Sequence, residues 1–210
     1  MLNETDDSMA GLIQKQVTDY YTRRIREHGP CASGVDWNSP QSQELRFEQL
    51  MKVIDERTES LLDYGCGYGA LIDALERRGG ISTYQGFDLS AEMVTAARSL
   101  YADREFVSEL SALKTADVAV ASGVFNVKMT TPTAEWEAYV LDTIQHMDSL
   151  SQHGFAFNLL TSYSDQEFMR DDLYYADPCF YFDFCKRSCS RHVALQHDYG
   201  LYEFTILVRK

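Results

Sequence analysis

Basic side chains are scarce. The 210 residues carry 19 Lys and Arg against 32 Asp and Glu, a formal net charge of -13 and a pI near 4.7. Such a field repels phosphate backbones and excludes general nucleic-acid binding. The densest basic cluster, Arg23, Arg24 and Arg26, shares its stretch with Glu27 and reads as a solvated helix face. Long apolar runs are also missing: nothing approaches the ~18 residues of a membrane span. The start, Met1–Ser8, is polar and acidic, without the basic residues and apolar run of a signal peptide. The expectation is a cytoplasmic protein that engages neither membrane nor nucleic acid. Cysteine is sparse and odd in number, at Cys31, Cys66, Cys179, Cys185 and Cys189, which argues against a disulfide framework. None of the gaps is the tight C-x2-C type. Cys179, Cys185 and Cys189 lie near His192 and His197, but among tyrosines and phenylalanines that suggest packing rather than zinc. No metal is expected.

What is present is an alternation of helical and extended patterns. Length suits one domain with a small appendage, since domains run roughly 100–200 residues. Met9–His28 carries Ile13, Val17, Tyr20, Tyr21 and Ile25 at helical spacing, and Gly29-Pro30 stops it. A loop through Gly34, Trp37, Asn38 and Pro40 leads to a second predicted helix over about 41–57. Thereafter strands are predicted at 60–64, 83–87, 105–107, 118–121 and 155–160, with helices at 70–78, 91–101 and 133–150 between them. The aromatic stretch from Ser162 to Ser190 reads as irregular, either a packing flap or a cover for a ligand. His192–His197 and Leu201–Arg209 read as two strands joined at Tyr199-Gly200. The fold class is α/β: a mostly parallel sheet with helices on both faces and an antiparallel strand at one side. The expected division is an N-terminal helical cap over residues 1–58 and a single compact unit over residues 59–210.

The chemistry concentrates in Leu61-Leu62-Asp63-Tyr64-Gly65-Cys66-Gly67-Tyr68-Gly69-Ala70-Leu71. A strand runs into a turn whose glycines let the backbone bend sharply and approach a ligand, and a helix follows with unpaired N–H groups at its start. Gly65-x-Gly67-x-x-Ala70 alone is a weak dinucleotide fingerprint. Asp63, two residues before the first glycine, shifts the reading. A carboxylate there opposes a pyrophosphate and favours a ligand with cationic groups. Asp88 ends the second strand about 20 residues beyond the turn, where a carboxylate can accept from both hydroxyls of a ribose; the alternative is a cap for the next helix. Leu89 follows as a surface for an adenine face. Ser90 is a predicted N-cap, with Met93 three residues on.

Asp63-Tyr64-Gly65-Cys66-Gly67-Tyr68-Gly69 and Gly86-Phe87-Asp88-Leu89-Ser90 resemble motifs I and II of the class I S-adenosylmethionine-dependent methyltransferases. By element order the resemblance runs from about Leu61 to Lys210. It implies a Rossmann-like seven-stranded sheet with the last strand inserted antiparallel, S-adenosylmethionine as cofactor and S-adenosylhomocysteine as product. Carried onto this sequence, the cofactor-binding set is Asp63, Tyr64, Gly65, Cys66, Gly67, Gly69, Asp88, Leu89 and Met93. The family's polar position after the third strand falls on Ser108 or Glu109. Its fourth-strand segment falls on Ser122, Gly123 and Phe125. The usual glycine-aspartate pair after the third strand is absent here, and so is Asn-Pro-Pro-Tyr after the fourth. Related enzymes bring an N-terminal basic residue to the cofactor carboxylate, which points to Arg46; an exposed helix arginine is the alternative. Asn126 and Lys128 are substrate-side candidates or plain loop residues.

Methyl transfer is an in-line displacement, and the protein's main tasks are alignment and exclusion of water. A base is needed only where the acceptor must lose a proton. His197-Asp198 is the best-looking pair, but neighbours on a strand point to opposite faces, so no catalytic residue is assigned. The acidic charge points to a small-molecule acceptor. Two other readings stand beside this one: a nicotinamide-dependent oxidoreductase built on Gly65–Ala70, and a non-catalytic cofactor-binding module.

Overall fold

The computed structural model describes residues 8–37 and 39–210; the acidic start before Ser8, and Asn38 in the predicted loop, lie outside these. Helix α1 (Met9–His28) begins where the Ser8 side chain accepts from the Gly11 N–H and ends at Gly29, whose φ of 73° no β-carbon-bearing residue adopts easily. Helix α2 (Pro40–Leu50) has Ser39 as its cap and Pro40 in its first turn. It ends well before residue 57, tightening into a 3-10 turn at Met51–Val53. Beyond it, Asp55 and Thr58 hydrogen-bond to backbone N–H groups of Arg57 and Asp55, an arrangement that competes with helix.

The alternating region forms β1 (Ser60–Tyr64), α3 (Leu71–Arg77), β2 (Thr83–Phe87), α4 (Ala91–Leu100), β3 (Glu105–Val107), β4 (Ala116–Ala121), α5 (Thr133–Leu150) and β5 (Ser151–Thr161). The chain then adds β6 (Tyr175–Ala176), α6 (Pro178–Ser188), β7 (His192–Gln196) and β8 (Glu203–Arg209). Strand order is β3-β2-β1-β4-β5-β8-β7, with β6 paired to the end of β5. The C-terminal hairpin lies at one side of the sheet, as expected, and supplies its antiparallel strand. Strand β8 is inserted between β5 and β7 and runs against both. The sheet has eight strands, one more than expected, because the short β6 joins it.

The stretch read as irregular holds a helix. Asp177 caps α6, Pro178 opens it, and Tyr181 and Cys185, four residues apart, enter the core. Tyr174 and Tyr181 share a hydroxyl contact of 3.0 Å there. Phe168 and Tyr163 stay exposed, so the aromatic stretch divides between packing and surface.

Apolar side chains alternate across the sheet into two cores, as the pleat requires. Leu62, Ala119, Phe155, Phe157 and Ile206 meet α1, α5 and α6 on one face. Leu61, Val118, Val120, Ala156 and Leu207 meet α2, α3 and α4 on the other.

One polar connection crosses the second face. Arg46 of α2 reaches Glu203 at the start of β8, donating from Nε to both carboxylate oxygens at 2.9 and 2.8 Å. Glu203 also accepts from Asn158 Nδ2 at 2.6 Å, and Arg46 donates to the Ser42 carbonyl. Glu203 is fully buried and Arg46 nearly so. Removing one partner of such a pair leaves an uncompensated interior charge. Glu203→Ala is expected to lower unfolding free energy by about 3–5 kcal/mol in urea titrations; a loss below about 1 kcal/mol would mean that Arg46 finds water.

Candidate functional site

Strand order reverses between β1 and β4, so the carboxyl ends of these strands part and leave a crevice where α/β folds bind ligands. The glycine turn fills its mouth. The Gly65 and Cys66 N–H groups both donate to the Phe87 carbonyl, at 2.7 and 2.8 Å, tying the turn to the end of β2. Gly65 has a φ of 81°, and a β-carbon there would run into the Val124 side chain. The β4 exit is equally tight: Gly123 has a φ of 70°, and Trp37 lies where its β-carbon would be. Both positions are therefore closed to larger residues.

The two carboxylates close the base of the crevice. Asp63 is buried and accepts from the Tyr84 hydroxyl at 2.7 Å. Burial pushes its carboxyl up to about 7, the Tyr84 hydrogen bond pulls against that shift, and the negative Asp88 adds to it. Asp88 accepts from the Gly67 N–H at 2.9 Å and, through its other oxygen, from the Ser90 N–H at 2.9 Å. Burial raises it to about 6, against those two hydrogen bonds.

Two cavities meet here. The first, of about 80 Å³, is lined by the turn, Asp63, Asp88, Leu89, Met93, Ser122 and Gly123, and is covered by Gln14, Val17 and Tyr21 of α1 and by Gln43 and Phe47 of α2. The second, of about 820 Å³, opens beside it and is lined by Arg46, Asn126, Phe168, Arg170, Tyr175, Tyr199 and Tyr202, among others. Tyr21, Val35, Trp37 and Gly123 line both.

The structure thus brings Asp63, Tyr64, Gly65, Cys66, Gly67, Asp88, Leu89, Met93, Ser122 and Gly123 together around the first cavity. Gly69 lies behind the turn, against Tyr101 and Phe106. Ser108 and Glu109 follow β3 and do not line either cavity. Phe125, expected at the cofactor, is instead fully buried, edge-on to Phe157, with its carbonyl accepting from Trp136 Nε1. Arg46 is likewise displaced from its expected role. Its charge is consumed by Glu203, its guanidinium lies 4.0 Å over the Trp37 ring, and it faces the second cavity. Asn126 is buried on that side, accepting from the Leu160 N–H. His197 packs against Tyr163 and Phe204, and no histidine lines either cavity.

Tyr21, Val35, Trp37 and Gln43 are cavity residues that were not expected from the sequence. Tyr21 carried only a helix-face signal and Trp37 only a loop position. Among the described residues, no group of three or more His, Cys, Asp or Glu could hold a metal ion, and no helix is long and apolar enough to cross a membrane.

Comparison with known proteins agrees with this geometry. A family model described as a methyltransferase domain matches residues 61–154. A Mycobacterium tuberculosis protein with a provisional methyltransferase name, Rv1506c, is 53% identical over 154 residues, 72% of this chain and 93% of that one. Magnesium protoporphyrin IX methyltransferase from Synechocystis PCC 6803, crystallised with S-adenosylmethionine, shares the fold with a TM-score of 0.61 at 16% identity, over 99% of this chain and 100% of that one. A methyltransferase from Leishmania major gives a TM-score of 0.63 at 16% identity, over 92% and 83%. The chain belongs to the S-adenosylmethionine-dependent methyltransferases. That membership displaces the nicotinamide-dependent oxidoreductase reading.

The raised carboxyls give the site a pH dependence of definite sign. Ionised, they attract a cationic ligand; protonated, they do not. Affinity for S-adenosylmethionine is therefore expected to rise as pH is raised from 5 through the two raised carboxyls, at about 6 and about 7, and to level off only above the higher of them, with protons released on binding in the range between them. Calorimetry in buffers of different ionisation enthalpy measures both, and a flat profile would show that the carboxylates are already ionised in the free protein.

Proposed function

We propose that the first cavity holds S-adenosylmethionine and the second holds a small-molecule acceptor, with residues 1–58 acting as a cap over residues 59–210. The observation that carries this reading is the pair of carboxylates held at the turn, with no basic side chain lining that cavity to receive a pyrophosphate. Ser122 fits the same picture: its hydroxyl oxygen is buried without a hydrogen-bond partner and lines the cavity, ready for a polar group of the ligand.

The bound cofactor supplies a methyl group already activated by positive sulfur. The residues do the rest. Asp88 is held by two backbone N–H groups with its remaining lone pairs free for ribose hydroxyls. Leu89 and Met93 offer apolar surface to a base. Asp63, fixed by Tyr84, faces the cationic part of the ligand. Val17, Tyr21, Trp37 and Phe47 exclude water from above.

The second cavity suits an uncharged or internally balanced acceptor. Arg46 is paired with Glu203, Arg170 with Asp172 at 2.5 Å, and Asp36 with Arg24 at 2.9 Å. Tyr21, Tyr175, Tyr199, Tyr202 and Phe168 are among its other lining residues. A cytoplasmic location belongs to the same reading.

Asp88→Ala is expected to weaken S-adenosylhomocysteine binding by about 1–3 kcal/mol, the loss for a charge-assisted hydrogen-bond site. Calorimetry with S-adenosylhomocysteine and, in parallel, with NADH tests the reading. Unchanged affinity in the variant would remove Asp88 from the ribose site, and a protein that takes NADH alone would overturn the assignment of the cavity.

A further inference from the structure

Methyl transfer across these two cavities has to pass through the wall they share. Sulfur, methyl carbon and acceptor atom must lie nearly in line, so the reacting atoms sit where Tyr21, Val35, Trp37 and Gly123 border both spaces. The chemistry of those four residues is unequal. Val35 and Gly123 have no polar side chain. The Gly123 N–H is already donated to Asn158 Oδ1 at 2.8 Å. Trp37 offers an indole N–H, which can donate but not accept. Of the four, Tyr21 alone has a side-chain group, its hydroxyl, that can accept a hydrogen bond. Among the described residues it has no hydrogen-bond partner, whereas the adjacent Tyr20 hydroxyl donates to Asp36.

The lining carries no competing base. Asp36 is committed to Tyr20 and Arg24, and Glu203 to Arg46 and Asn158. Asp63 and Asp88 lie on the cofactor side, at the glycine turn.

We propose that the Tyr21 hydroxyl accepts a hydrogen bond from the N–H or O–H of the methyl acceptor and so aims the acceptor's lone pair at the transferring methyl group. This rests on the first cavity being the cofactor seat. The step balances without a protein base. The acceptor lone pair forms the new bond to carbon as the carbon–sulfur bond breaks. Its electron pair goes to sulfur, leaving a neutral thioether, and the acceptor's proton passes to water. Tyr21 stays a neutral phenol throughout, since burial, reinforced by Tyr20, Asp36 and Asp88, pushes its pKa well above the ordinary tyrosine range. Such a residue orients and does not deprotonate. It matches acceptors with a lone pair available near neutral pH, such as amines, better than aliphatic alcohols, which need a base.

A ligand that places a hydrogen-bond donor where the methyl group would stand tests this without knowledge of the acceptor. Sinefungin carries an amine at that place, and S-adenosylhomocysteine carries nothing there. With the full chain in calorimetry, Tyr21→Phe is expected to bind S-adenosylhomocysteine within twofold of the unmodified protein and sinefungin about tenfold more weakly. The substitution keeps the ring and removes only an unpartnered hydroxyl, so folding, checked by circular dichroism, is expected to be unchanged. An identical sinefungin-to-S-adenosylhomocysteine affinity ratio in the two proteins overturns the proposal while leaving the cofactor seat standing. Failure of the unmodified protein to bind S-adenosylhomocysteine overturns the seat, and the proposal with it.

Discussion

A guanidinium and a carboxylate, both withdrawn from water, tie the N-terminal segment of this protein to its last strand beside the second cavity. Arg46 belongs to α2, in the N-terminal segment, and Glu203 to the last strand. Burying two charges costs several kcal/mol per ion unless hydrogen bonds answer the remaining lone pairs and protons. They do so here: Ser42 and Trp37 attend the guanidinium, and Asn158 and Asn126 attend the carboxylate. Asn158 in turn accepts from the Gly123 N–H, which fixes the β4 exit beside the glycine turn. The wall between the two cavities is thus the far end of a polar network that starts at the inserted strand. The Glu203–Asn126 contact, at 3.5 Å, is its loosest member.

The carboxylates at the turn work in the opposite sense. Asp63 and Asp88 are raised to about 7 and about 6, so the folded chain holds protons that the unfolded chain would release. Through these two groups folding is most favoured below their unfolded pKa values, near pH 4. It loses ground as pH rises toward 7. A ligand carrying positive charge reverses that cost, because it favours the ionised form that burial disfavours. In the proposed site Asp63 thus gains from a cationic ligand what burial costs it in the empty fold.

The local part of this design was legible in the sequence. Asp63, Gly65, Gly67 and Asp88 follow one another along a strand, a turn and the next strand end, so linear spacing carries their relation. The alternation of elements likewise placed β1 to β5 and their helices, including α1 at Met9–His28. What failed depended on contacts between distant segments. Arg46 looks the same in sequence whether it meets a ligand or Glu203, 157 residues away. Phe125 looks the same in a cavity wall or against Phe157. Trp37 gave no signal at all, because its importance comes from lying under Arg46 and against Gly123. Helix α6 was hidden by its aromatic content, although Asp177, Pro178 and the Tyr181–Cys185 spacing were readable.

The two sides of the first cavity are held by forces of different strength. Its floor is the end of a sheet with a packed core on each face. Its roof is α1, of whose twenty residues only Ile13, Val17 and Ile25 are buried. The polar fastenings of that helix to α4 are Thr22 on Ser90, at 2.8 Å, and on Glu92, at 3.3 Å, and Arg26 on Glu92. Arg26 is 67% exposed, and ion pairs in such positions contribute about 0–1 kcal/mol. Ligand sites for molecules of drug size measure roughly 300–1,000 Å³, against about 80 Å³ for the first cavity. In the proposed assignment, the side that yields at least cost to an adenosyl ligand is the roof. Ser90 lies where roof and floor join: its hydroxyl caps α4 next to Asp88 and also meets Thr22. Asp88, the capped start of α4 and the Thr22 contact of α1 are therefore neighbours on one short stretch of chain.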